Sequence, residues 1–244
     1  MKPVLIVALL ALTGWFKAWA GSNYLVGVEA LNYYPHYSHQ DGRFNGFARE
    51  VLDAFARSKG YSFEYRPLPV ARLYESFFSG ALDFKYPDNP DWQENRRQGK
   101  NIRYSDPVAS YIDGVLVLPA HKGKGIERLA TLGTVRGFTP WAYLALIEQG
   151  RLRVNAVTNF QQSLQQGILG RVDGVYINVD VGRHQLENVL KRPGALVFDE
   201  ALPHAQGAYR LSSLKHTTLI EEFNAFLNLN AAEVRTLKDK YGLQ

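Results

Sequence analysis

Two successive rounds of strand followed by helix, most helices closed by a glycine, constrain this chain more than any other feature. Such alternation is what an α/β protein with parallel strands requires. In the first round Tyr24, Leu25, Val26, Gly27 and Val28 read as a buried strand, and Phe47, Val51, Leu52 and Phe55 fall on one helical face ended by Gly60. Residues 61–65 alternate as a strand, Leu73 and Phe77 mark a second helix closed by Gly80, and Leu82, Asp83 and Phe84 open another strand. Residues 87–101 carry two prolines and little apolar periodicity, so they form a long loop, a place where function concentrates. The second round runs from a strand at 114–118 through a Lys- and Gly-rich stretch at 119–125 that suits a crossing between lobes. It continues with strands at 132–135, 154–157 and 172–177 and helices at 141–147, 159–168 and 181–190; Thr139 and Pro140 suit the cap and first position of the 141–147 helix. A helical tail at 219–241 follows. The expected architecture is α/β with two lobes and a ligand cleft between them, lobe 1 formed by 21–118 plus 204–244 and lobe 2 by 119–203.

Residues 1–20 read as a signal peptide. Lys2 gives a positive start, residues 3–13 are apolar but too few to span a bilayer, and Ala18, Trp19 and Ala20 form the small-x-small pattern of a cleavage site. Export to the periplasm with a mature start near Gly21 is the expectation. The chain has no cysteine, which excludes a disulfide framework, a lipid-attachment thiol and a cysteine metal site. Losing Lys2 and Lys17 with the leader lowers the net charge from +5 to +3. That charge is small and dispersed, so a nucleic-acid partner is not expected.

Several spaced motifs resemble the bacterial extracellular solute-binding proteins of family 3, the polar amino acid type. In the first lobe these are the Gly27 strand, Tyr34-Pro35, Asp41-Gly42 to Gly46-Phe47, Gly80-Ala81-Leu82-Asp83, and Tyr104-Ser105-Asp106-Pro107. In the second they are Gly170-Arg171-Val172-Asp173-Gly174-Val175, with Lys240-Tyr241-Gly242 closing the chain. The resemblance implies the two-lobed periplasmic binding fold (type II), a small-molecule ligand such as an amino acid or related organic acid, an inner-membrane ABC permease or receptor as partner, a monomer, and no cofactor. Two positions depart from the pattern. The arginine that clamps the ligand carboxylate in the family would be Arg96 or Arg97, in a stretch of altered length. Asn178 stands where family members place the aspartate that pairs with the ligand ammonium, and Asp180 is the compensating candidate.

Candidate binding residues follow from chemistry and position. Tyr33 and Tyr34 lie just after the first strand, at the carboxyl end where open sheets place ligands. Arg72 could offer a planar fork to a carboxylate; Lys85, Tyr86, Asp88 and Asn89 lead a strand into the long loop. Thr139 would aim a hydroxyl and the free N–H groups of its helix at an anion. Four cations near the expected cleft (Arg72, Lys85, Arg96, Arg97) favour a carboxylated ligand. His36 and His39 lack a carboxylate cluster, so no metal site is expected. No serine elbow, zinc helix, phosphate loop or dinucleotide fingerprint is present in the sequence, and the protein is expected not to be an enzyme. The alternatives are a periplasmic dehydratase or lyase on the same fold, with Glu29, Asp88 or Asp180 as acid or base, and a ligand-sensing subunit for a membrane receptor.

Overall fold

The computed structural model describes residues 22–40 and 42–243, so the segment expected to be a leader, the expected start at Gly21, Asp41 and Gln244 lie outside the described residues. The chain forms β1 (Asn23–Glu29), β2 (Asn32–Tyr33), β3 (Tyr37–Gln40), β4 (Arg43–Asn45), α1 (Phe47–Lys59), β5 (Ser62–Leu68), α2 (Val70–Phe78) and β6 (Phe84–Asp88). Then come α3 (Glu94–Arg97), β7 (Arg103–Tyr104), β8 (Ala109–Val117), β9 (Thr131–Val135), α4 (Leu144–Glu148), β10 (Arg153–Val157), α5 (Phe160–Ile168), β11 (Gly174–Asn178) and α6 (Val179–His184). The last elements are β12 (Val197–Phe198), β13 (Ala205–Ser213), α7 (Thr217–Leu229) and α8 (Ala231–Tyr241).

One sheet runs through both lobes in the order β10-β9-β11-β8-β13-β6-β1-β5. Within the first lobe β1 lies parallel to both β5 and β6, which is why its sequence is apolar without alternation. The edge strand β5 alternates between exposed and half-buried positions, as a strand covered on one face should. Within the second lobe β9 lies parallel to β10 and β11. The two halves meet where β8 pairs antiparallel with β13, Asp113 opposite Ala205 and Ala109 opposite Tyr209. The far end of β8 belongs to the second lobe through β11 and β12, and the far end of β13 belongs to the first through β6 and β7. These two strands carry the chain between lobes, while the 119–125 stretch sits on the second lobe, with the Gly123 N–H donating to Asp199.

Helix α1 forms where the apolar spacing predicts it: Phe47, Val51, Leu52 and Phe55 are fully buried, and Gly60 ends it at φ 69°. Two local expectations need correction. The segment after Thr139 is a 3₁₀ turn at Trp141–Tyr143 followed by the five-residue α4, and Pro140, at ψ 75°, is not helical. Thr139 therefore caps no helix, and a helix this short presents no anion site. The loop after β1 also holds a small antiparallel sheet of β2, β3 and β4.

Candidate functional site

A cavity opens between the lobes at the crossing strands, a place where small-molecule sites commonly form. The first lobe contributes Glu29 at the carboxyl end of β1, Tyr33 and Tyr37 from the small sheet, Tyr74 from α2 and Trp92 from the long loop. The second contributes Phe138, Thr139 and Trp141 beyond β9, and Tyr176 from β11. Asp113 of β8 and Tyr209 of β13 form part of the wall at the crossing.

Glu29 and Asp113 are the ionisable acids of this wall, and the wall contains no lysine or arginine among the described residues. Burial pushes Asp113 up to about 7, against the pull of hydrogen bonds from Asn178 and Tyr33. Burial also raises Glu29, outweighing nearby Lys85 and the bond that the Tyr37 hydroxyl donates to it. The phenols of Tyr33, Tyr37 and Tyr209 are pushed well up by burial, so they stay neutral donors. A chain of hydroxyls passes through the wall. Asn178 Nδ2 approaches the Tyr209 hydroxyl at 3.5 Å, Tyr209 donates to Tyr33 at 3.4 Å, and Tyr33 reaches Asp113 Oδ1 at 3.5 Å. Tyr33 is also where the lobes touch: its ring lies 5.0 Å from Tyr37 on its own side and 5.5 Å from Phe138 across the cleft.

The positions expected from sequence divide into three groups. Tyr33 and Thr139 line the cavity. Asn178 stands one layer behind it: its side-chain oxygen accepts from the N–H groups of Asp180 and Val181, capping α6, while its amide faces Tyr209. The others lie elsewhere. Tyr34 packs across the lobes on His184, ring centroids 4.4 Å apart. Asp180 pairs with Arg183 at 2.6 Å and stands 3.7 Å from His36. Arg72 and Arg96 are exposed, and neither belongs to the cavity wall. Tyr86 is fully buried with its hydroxyl unpaired.

Lys85, Asp88 and Arg97 form a closed buried cluster. The Lys85 ammonium donates to Asp88 Oδ1 at 3.0 Å, Arg97 grips the same carboxylate at 2.6 and 3.2 Å, and Ser212 adds a hydroxyl. Arg97 also donates to the carbonyl of Trp92, which fixes the long loop against the cavity. Burial raises Asp88, but its two cations outweigh that and hold its carboxyl below the usual range. Both cations are thereby committed to structure, so neither is free to clamp a ligand. Asp113, Trp92 and Tyr209 were not singled out by sequence. The signal available for Trp92 was its place in the long loop; Asp113 and Tyr209 become neighbours only through the β8–β13 pairing.

No protein-family model and no curated protein matches the chain. Solved structures do. The GluR0 ligand-binding core in complex with L-glutamate is 16% identical, covers 91% of this chain and 99% of its own, and gives a TM-score of 0.72. The arginine-, lysine-, histidine-binding protein ArtJ from Geobacillus stearothermophilus is 19% identical over 90% and 95%, with a TM-score of 0.69. The ancestral amino acid-binding protein AncCDT-1, a precursor of cyclohexadienyl dehydratase, is also 19% identical over 90% and 95%, at 0.69. The fold is that of the two-lobed periplasmic binding proteins.

Proposed function

We propose that the protein is an exported solute receptor whose lobes close on a small polar solute of amino-acid size and present it, as a monomer, to an inner-membrane ABC importer. The observation that carries this reading is the cavity at the crossing strands, walled by both lobes and lined by neutral aromatic hydroxyls, indoles and two acids. The amino acids bound by proteins of like fold support the size of the solute. Lobes at 21–118 with 204–244 and at 119–203 move about β8 and β13, and binding stabilises the closed state by its differential affinity. Tyr33 and Thr139 contact the solute, and Asn178 holds Tyr209 in place. The carboxylate expected from sequence depended on Arg72, Lys85, Arg96 and Arg97; two of these are exposed and two are bound to Asp88, so the reading kept is a polar solute of that size without that requirement. The leader at 1–20 supports a periplasmic location.

A thermal-shift screen against amino acids, organic acids and amines tests the reading. A solute at 100 times its dissociation constant should add about 2.7 kcal/mol. No shift with any of the three classes would overturn it.

One observation favours a second reading, a lyase on the same scaffold. Asp113, raised to about 7 at the cavity wall, has the acidity of a general acid or base near neutral pH. Incubation followed by mass spectrometry separates the two, since a receptor returns its solute unchanged.

A further inference from the structure

We infer that the solute is an organic cation without a carboxylate, a guanidine, amine or quaternary ammonium, held with its charged group between Glu29 and Asp113 and against the rings of Trp92 and Trp141. This rests on the receptor reading above. A carboxylate drawn into this cavity would meet two acids and no cationic side chain among the described residues, and an unpaired buried charge is costly. The cations that could have met it are otherwise engaged: the Lys85 ammonium lies 4.3 Å over the Tyr74 ring and is bonded to Asp88, which also holds Arg97. The N-terminus of α2 reaches the wall at Val70 and would favour an anion, but its dipole amounts to roughly half a unit charge, less than the charge of either carboxylate. A cation reverses every sign. It places a positive charge inside the cavity opposite Glu29 and Asp113, and aromatic walls attract it through their ring quadrupoles. Trp141, 46% exposed, stands among the lining residues and can close over a bound group.

Matched pairs differing by a single carboxylate test the inference on the mature full-length chain by titration calorimetry at pH 8: agmatine against arginine, cadaverine against lysine, choline against glycine betaine. The expected result is that the carboxylate-free member of at least one pair binds, and binds at least tenfold tighter than its partner. Choline as the tightest probe would identify a quaternary ammonium; agmatine or cadaverine would identify one carrying N–H donors. Asp113→Asn should weaken the favoured cation at least tenfold while leaving the ligand-free melting temperature equal or higher, because it replaces an acid that burial disfavours. Trp141→Ala, at an exposed position, should weaken it severalfold. An amino acid binding as tightly as its decarboxylated partner, or glutamate binding where no cation does, would overturn the inference and leave the receptor reading standing. Binding by none of these seven probes overturns the inference; silence across the wider screen as well would overturn the receptor reading.

Discussion

Asp88 holds two buried cations and a hydroxyl with one carboxylate, so its removal should cost more than any pair it forms would suggest. Asp88→Ala leaves the Lys85 ammonium and the Arg97 guanidinium without their counter-charge in a site from which water is excluded, and the expected loss is about 3–5 kcal/mol in urea unfolding. Because the folded carboxyl is held below its ordinary value, the stability it contributes is present above about pH 4 and lost as the pH falls further; the variant's acid limb should be flatter. Asp113 has the opposite sign. Its folded pKa is pushed up to about 7, so it is neutral at no cost in acid and destabilising once ionised; stability should decline between roughly pH 4 and 7, and Asp113→Asn should lack that decline. Tyr33, Asn178 and Glu29 face this carboxyl, so in Asn178→Ala, which removes a hydrogen bond that favours the charge, the decline should extend to higher pH. The residues of the Asp88 cluster were legible in sequence but their role was not, and Asp113 was not legible at all. Lys85, Asp88 and Arg97 read as a ligand-facing set, whereas the Asp88 carboxylate binds both cations and accepts a further hydrogen bond from Ser212, 124 positions away. Only the pairing of β6 with β13 brings that hydroxyl into reach.

At the scale of elements, what repeats over three or more turns was readable and what is short was not. Helix α1 announced itself through Phe47, Val51, Leu52 and Phe55 and a glycine stop. The strands β2, β3 and β4 have two to four residues each, too few to show a period of two. Likewise Thr139-Pro140 carries the composition of a helix start, but α4 begins only at Leu144, after the 3₁₀ turn. The junction between β4 and α1 is the tightest point of this region. Gly46 adopts φ 98°, and a Cβ there would lie 2.8 Å from the Cα of Tyr37, a backbone atom that cannot yield without moving β3. Gly46→Ala therefore combines a conformation that alanine avoids with a steric clash, and should cost at least about 2 kcal/mol by urea unfolding. Since Tyr37 bonds to Glu29, the same change should also weaken solute binding.

For the whole molecule, the two lobes and the cleft position were legible because alternation of strand and helix occurs twice and ligands in open sheets lie beyond strand carboxyl ends. The contacts that hold the lobes together were not, since they join residues far apart in sequence. Outside the cavity these contacts include Tyr34 on His184, with ring centroids 4.4 Å apart, and His36 facing Asp180 at 3.7 Å. Tyr34 lies outside the cavity wall and packs on His184, which makes it a candidate latch between the lobes. Burial lowers the His184 pKa from its ordinary value, so the ring is neutral at pH 7. For a base with a lowered value, the contact is fully present above about pH 6.5 and weakens as the pH falls below it. His184→Ala removes the ring without touching the cavity wall, so intrinsic contacts to the solute are preserved while the closed state loses part of its support. Apparent affinity falls in proportion to the fraction of molecules able to close. The expected outcome is a severalfold weaker solute, a larger ligand-free radius of gyration by solution scattering, and an unchanged radius once saturated. An unchanged ligand-free radius together with unchanged affinity would show that Tyr34 and His184 only rest on each other, and that Tyr33 and Phe138 hold the lobes closed without them.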